Sequence, residues 1–120
     1  MARLRCVFYD PDAVDEDSRL SERALEACGR AGVRVYALSG DGEVEHEGEL
    51  RSIEFVMRAH AFAPEECIGV GAALADAPLS AVWVSPLDLE VRGENVRVAE
   101  EGDELLYEAV ISELAERRGA

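Results

Sequence analysis

The chain contains no lysine, glutamine or threonine, and Asn95 is its only asparagine. All twelve basic residues are arginine, so any mechanism that requires a lysine side chain is excluded. The 26 acidic residues give the 120-residue chain a formal net charge of −14, which repels nucleic-acid backbones and anionic membrane surfaces. No apolar run approaches the roughly 20 residues that a bilayer span needs. We therefore expect a protein that binds neither nucleic acid nor membrane.

Cysteine is scarce as well. Cys6, Cys28 and Cys67 are odd in number and are not spaced like a zinc site or a redox pair. We expect three reduced, buried thiols. The apolar stretch at the start of the chain is too short for a secretory signal, which predicts a cytoplasmic protein. The length fits one domain over residues 1–120.

Short apolar runs alternate along the chain with segments of helical spacing. The runs predict strands over 4–9, 33–38, 67–70 and 81–84, and the spacing predicts helices over 20–31, 50–61 and 106–114. Ser18 or Ser21 is expected to cap the first helix, with Gly32 just past its end. This alternation is typical of an α/β fold, a mainly parallel, doubly wound sheet with helices on both faces in three layers.

The remaining segments predict minor elements. The acidic, Gly-rich segment 40–49 is expected to be a loop, and a short Ala-rich helix is expected after Gly71, limited by Pro78. Segments 89–92 and 95–98 predict a small C-terminal hairpin, followed by the closing helix with Asp103 as its cap. His46 is expected to be a solvated loop residue, and His60 is expected to lie at the edge of a helix. Neither has a partner at metal-binding spacing in the sequence.

Polar residues follow several of the predicted strands. Ligands of parallel α/β sheets bind outside the carboxyl ends of the strands, so these residues are candidates for one shared crevice. They are Asp10, Asp12, Ser39, Gly40, Gly71 and Asp76.

Asp10-Pro11-Asp12 carries the strongest chemical signal. Two carboxylates this close repel each other unless a cation joins them, and Mg²⁺ prefers such oxygen ligands. An aspartate can also attack phosphorus, while a second acid protonates the leaving oxygen and then activates water. A solvated, capped turn explains the same tripeptide, because Asp and Pro are common in turns.

Ser39-Gly40 and Asp76 are weaker signals. A hydroxyl beside a flexible backbone N–H can hold a phosphate, although many strand-to-loop turns have the same residues. Asp76 would bring one more acid to the crevice, or would simply be an exposed residue of a short helix.

Taken in order, these segments resemble the haloacid dehalogenase superfamily of phosphatases and phosphotransferases. The first sequence motif of that superfamily corresponds here to Val7-Phe8-Tyr9-Asp10-Pro11-Asp12, and its second motif to Leu38-Ser39. Its fourth motif corresponds to the segment from Pro64-Glu65-Glu66 to Asp76. Within the superfamily, the sugar-phosphatase branch that includes mannosyl-3-phosphoglycerate phosphatase is the most similar.

The resemblance implies a magnesium-dependent phosphatase that acts on a phosphorylated substrate. Asp10 would be the nucleophile and a metal ligand, and Asp12 the general acid and base. Ser39, the Gly40 amide and Arg51 would hold the phosphate. The third motif of the family contains a lysine that this chain lacks; Arg51 lies in that region of the sequence, and Arg58 is the other candidate. Asp12 and Asp76 would complete the magnesium site.

The chain also departs from the family pattern. Ala72 stands where the first aspartate of the fourth motif is usual, the lysine is absent, and no cap domain is inserted after Asp12 or Ser39. An open site would act on a large substrate or take a lid from a second copy of the chain, so a homo-oligomer is one expectation. Two other hypotheses therefore stay open: a catalytically inactive homologue that serves as a binding or assembly module, and a signal-receiver-like doubly wound domain.

Overall fold

The structure, a computed structural model, describes residues 2–15, 17–88, 90–91, 93–100 and 104–117. Its strands are β1 (Cys6–Tyr9), β2 (Arg34–Ala37), β3 (Val44–His46), β4 (Glu49–Arg51), β5 (Cys67–Val70), β6 (Ala81–Val84) and β7 (Val96–Val98). Its helices are α1 (Arg19–Ala31), α2 (Ile53–Ala59) and α3 (Leu105–Arg117). Five strands form a parallel sheet in the order β2-β1-β5-β6-β7, and β3 pairs with β4 in a separate antiparallel hairpin.

The sheet separates two hydrophobic cores. Successive side chains of a strand point to opposite faces, so Val7 and Tyr9 of β1 pack with α1 and α3, whereas Cys6 and Phe8 pack with α2. Both faces of β1 are buried, as is usual for a central parallel strand. The predicted α/β fold with a parallel sheet and helices on both faces is confirmed.

The termini of α1 follow the signals in the sequence. The Ser18 hydroxyl accepts a hydrogen bond from the Ser21 amide at 3.0 Å, and Gly32 ends the helix in the left-handed region with φ 73°. β5 and β6 have the predicted bounds, while β1 and β2 are shorter than the apolar runs that predicted them.

Segment 40–49 is not a loop throughout, which corrects the prediction. It contains β3 and the first residue of β4, and Leu50 belongs to a strand rather than to the following helix. The hairpin turns at Glu47 and Gly48, which have φ 53° and 83°. A bridge from Leu38 to Val44 connects the hairpin to the end of β2.

The predicted C-terminal hairpin is also wrong for its second arm, because β7 pairs in parallel with β6 at the edge of the main sheet. Leu89 and Arg92 of the first arm and the predicted cap Asp103 lie outside the described residues. The Ala-rich helix after Gly71 is a single 3₁₀ turn, Ala72–Leu74. Among the described helices, none is long and apolar enough to cross a membrane.

Candidate functional site

Asp10 follows β1 at the carboxyl end of the sheet. Its backbone N–H donates to the Val70 carbonyl at 2.9 Å, which continues the pairing of β1 with β5. Its Oδ1 accepts from the Asp12 amide at 3.0 Å and so caps the 3₁₀ turn Pro11–Ala13. Asp10 is therefore a capping residue, and that role fixes its carboxylate at the edge of the sheet.

Gly71 follows β5 and lies directly against Asp10. Its φ is 118°, and a Cβ added to it would lie 2.8 Å from the Cβ of Asp10 and 3.2 Å from that of Ala13. The chain places β2 on one side of β1 and β5 on the other, so the strand order changes direction between these two neighbours. The carboxyl ends of strands at such a switch point form the usual crevice of doubly wound sheets. Asp10 and Gly71 lie at these strand ends.

Ser39 lies at the end of β2, the other neighbour of β1. Leu38 donates its backbone N–H to the Tyr9 carbonyl, and Ser39 begins a turn that Gly42 closes by donating to the Ser39 carbonyl at 3.0 Å. The Ser39 hydroxyl is buried without a hydrogen-bond partner in the described part of the chain. Gly40 is exposed, and a Cβ there would have open space around it.

The other two predicted metal ligands are exposed. Asp12 lies in the turn that Asp10 caps, and Asp76 follows the 3₁₀ turn after Gly71. Within the described ranges, no group of three or more His, Cys, Asp or Glu residues is arranged to hold a metal ion. Asp10, Asp12 and Asp76 are thus not brought together as such a group. Magnesium stays a prediction, and the donor chemistry of the neighbouring Asp10 and Asp12 carboxylates fits it, because Mg²⁺ commonly uses one or two carboxylates plus a phosphate.

Arg51 is placed on the hairpin. Its guanidinium pairs with the Glu49 carboxylate and lies 4.8 Å above the centre of the Phe55 ring. These contacts engage the guanidinium between β4 and α2, so the structure does not assign it to the Asp10 crevice. Arg58 is exposed on α2.

Sequence reasoning missed a histidine pair. The Nε2 atoms of His46 and His60 lie 3.0 Å apart, and the Tyr36 hydroxyl lies 3.2 Å from Nε2 of His60. His46, which was expected to be a solvated loop residue, instead ends β3 and contacts His60, whereas His60 lies at the end of α2, as predicted. The chain folds β3 back onto the end of α2, and this contact depends on a hairpin whose three-residue strands give almost no periodic signal.

Two of the three cysteines, Cys6 and Cys28, are not activated as nucleophiles. All three are free and buried, as predicted. Burial raises the pKa of the Cys28 thiol to about 11, and the hydrogen bond to Cys67 together with burial raises the pKa of Cys6. Since the thiolate is the nucleophilic form, neither group is activated for catalysis.

No protein-family model matches the chain, and no curated protein is significantly similar to it in sequence. The candidate function therefore depends on the residues of the crevice themselves.

Proposed function

We propose that this chain is a phosphatase of the haloacid dehalogenase type, which hydrolyses phosphomonoesters through an aspartyl-phosphate on Asp10. One observation carries the proposal: Asp10 lies at the switch point of the parallel sheet, held against Gly71 by the close approach of the two strand ends. A carboxylate in this position lies where doubly wound sheets usually bind their ligands.

Ser39 supports the phosphate-binding half of the proposal. A buried hydroxyl without a partner is unfavourable unless a ligand or water completes its hydrogen bonds. Ser39 follows the strand beside Asp10, so its hydroxyl and the Gly40 amide would donate to phosphoryl oxygens while the Asp10 carboxylate approaches phosphorus.

In the proposed reaction, an Asp10 oxygen forms a bond to phosphorus and the ester P–O bond breaks. Asp12, in its protonated form, gives its proton to the leaving oxygen. A water molecule then attacks phosphorus and gives a proton to the Asp12 carboxylate, and the bond from phosphorus to Asp10 breaks. Inorganic phosphate leaves, and both aspartates return to their starting states.

A magnesium ion held by Asp10 would neutralise charge on the phosphoryl group when bound. The site needs such a cation because the turn after Ser39 also carries the acidic residues Asp41 and Glu43, and the chain has no lysine to offset their charge. Phosphoryl transfer depends mainly on positioning and charge neutralisation. We therefore expect slow turnover.

The test compares hydrolysis of p-nitrophenyl phosphate, with excess Mg²⁺, by the natural chain and by Asp10→Asn. Loss of the nucleophile is expected to lower the rate by about 10³-fold or more. Asp17→Asn makes the same chemical change at an exposed residue outside the crevice and should retain the activity. Equal rates for the natural chain and Asp10→Asn would overturn the proposal.

A catalytically inactive homologue is the second candidate, and one observation favours it: the described residues contain no group of three metal-binding side chains. This candidate predicts that a phosphate mimic such as beryllofluoride binds at the crevice while no phosphate is released. Binding that Asp10→Asn abolishes, without turnover by the natural chain, would select this candidate.

A further inference from the structure

The two histidines of the chain come from distant parts of the sequence and meet on one side of the hairpin. His46 ends β3, and His60 ends α2 as its C-terminal cap residue. Their Nε2 atoms face each other at 3.0 Å, with ring centres 5.1 Å apart. The chain has only two histidines, so this contact uses both.

Aromatic neighbours hold both rings in place. His60 stacks on Phe62 at a centroid distance of 5.3 Å, and His46 meets Phe55 edge-on at 6.0 Å. Tyr36, which places its hydroxyl 3.2 Å from Nε2 of His60, stacks in turn on Phe8 of the core. The pair is therefore built into the packing between the hairpin, β2 and α2.

The pair opens onto a cavity of about 490 Å³, lined by His46, Glu47, Glu49, Arg51, Phe55, Ala59 and His60. The cavity admits a small ion, and two carboxylate residues line it beside the imidazoles. The residues that directly follow the histidines, Glu47 and Ala61, are the only non-glycine residues in the described part of the chain with positive φ, at 53° and 55°. Backbone of this kind is unfavourable and concentrates at functional sites.

We propose that His46 and His60 bind a divalent transition-metal ion such as Zn²⁺ or Ni²⁺ at the mouth of this cavity. Two metal–nitrogen bonds of about 2.0–2.1 Å, at an angle between square and tetrahedral, place their nitrogens about 2.9–3.4 Å apart. The observed separation of 3.0 Å is within this range.

The chemistry of the donors selects the ion. Imidazole suits Zn²⁺, Ni²⁺ and Cu²⁺, whereas Mg²⁺ prefers oxygen ligands. Two protein nitrogens leave the other coordination positions to water or to the Tyr36 oxygen. This site is separate from the Asp10 crevice, and its test does not depend on phosphatase activity.

The test titrates the EDTA-treated full chain with ZnCl₂ in excess Mg²⁺, which keeps sites built only from carboxylates occupied. Calorimetry is expected to give one Zn²⁺ per chain, and the NMR signals of both imidazoles should shift together. This spectrum needs no variant, because the chain has only two histidines. His46→Gln and His60→Gln should each weaken binding at least tenfold.

Glu45→Gln is the matched control. Glu45 is exposed on the same strand as His46, one position away and so on the opposite face, and its variant should bind Zn²⁺ like the natural chain. The proposal is overturned if Zn²⁺ does not bind, if only one imidazole signal moves, or if both histidine variants keep the natural affinity.

Discussion

At the carboxyl end of β5, Gly71 combines a φ of 118° with a gap too small for a side chain, since an added Cβ would lie 2.8 Å from the Cβ of Asp10. We expect Gly71→Ala to lower the free energy of unfolding by about 1–3 kcal/mol, because the backbone conformation and the contact both oppose the methyl group. Urea unfolding followed by circular dichroism measures the change.

Gly29→Ala is the matched control for this substitution. Gly29 lies inside α1, and a Cβ there would meet nothing within 4 Å. The same added methyl group should stabilise this variant by about 0.5–1 kcal/mol, because alanine is the better helix residue. A Gly71→Ala protein as stable as the natural chain would contradict the crowding that we describe at Asp10.

Single residues also show how much of the site the sequence could predict. Asp10 and Ser39 could be placed at strand ends because the apolar runs before them identify buried strands. The fixed position of the Asp10 side chain could not be predicted, because it depends on the turn that Asp10 caps and on contact with Gly71, 61 residues later in the chain. The positions of Arg51 and the two histidines depend on a hairpin that the sequence does not signal.

At the scale of elements, long or well-capped segments were predictable and short ones were not. α1 has 13 residues, a serine cap and a terminal glycine, so its sequence specifies its ends. β3 and β4 have three residues each, too few for an alternating pattern to emerge from the acidic background. β7 shows a second reason why an element was not predicted. Gly93-Glu94 suggested a local hairpin, but β7 pairs with β6, and the residues next to Gly93-Glu94 carry no information on where β6 lies.

The packing of the hairpin against α2 should make stability depend on pH. Burial, with Arg34 and His46 nearby, lowers the pKa of His60, while Glu47 opposes this shift. A lowered pKa means that the unfolded chain binds more protons than the folded chain below about pH 6.5. The contribution of His60 to the free energy of unfolding is therefore complete above that pH. It is lost as the pH falls toward the pKa of His60 in the folded chain.

Unfolding in urea at several pH values between 7.5 and 5.5 measures this dependence. The carboxylates of the chain affect every variant, so the informative quantity is the difference between the natural chain and His60→Gln. We expect the natural chain to lose its advantage over His60→Gln as the pH falls through this range. A difference that does not change with pH would refute the assignment to His60.

At the scale of the whole molecule, a buried ion pair of α3 contacts the N-terminal segment of the chain. Glu113 of α3 accepts from the Trp83 indole N–H at 2.9 Å and from Nε of Arg117 at 3.0 Å. Arg117 also donates to the carbonyls of Ala2 and Glu65. Both charged side chains are almost fully buried, so one network connects α3 to β6, to the 3₁₀ turn Pro64–Glu66 before β5 and to the start of the chain.

We expect Arg117→Met to lower the free energy of unfolding by about 3–5 kcal/mol, because it leaves the buried Glu113 carboxylate without its buried charged partner. Arg97→Met is the matched control: Arg97 is half-exposed and lies 3.6 Å from the same carboxylate, so its loss should cost less than about 1 kcal/mol. Adding Glu113→Gln to Arg117→Met removes the buried charge while an acceptor for Trp83 remains, and it should recover part of the loss. If the two arginine variants unfold at the same urea concentration, the network does not hold the termini together, and the docking of α3 depends on its apolar contacts with α1 and the sheet.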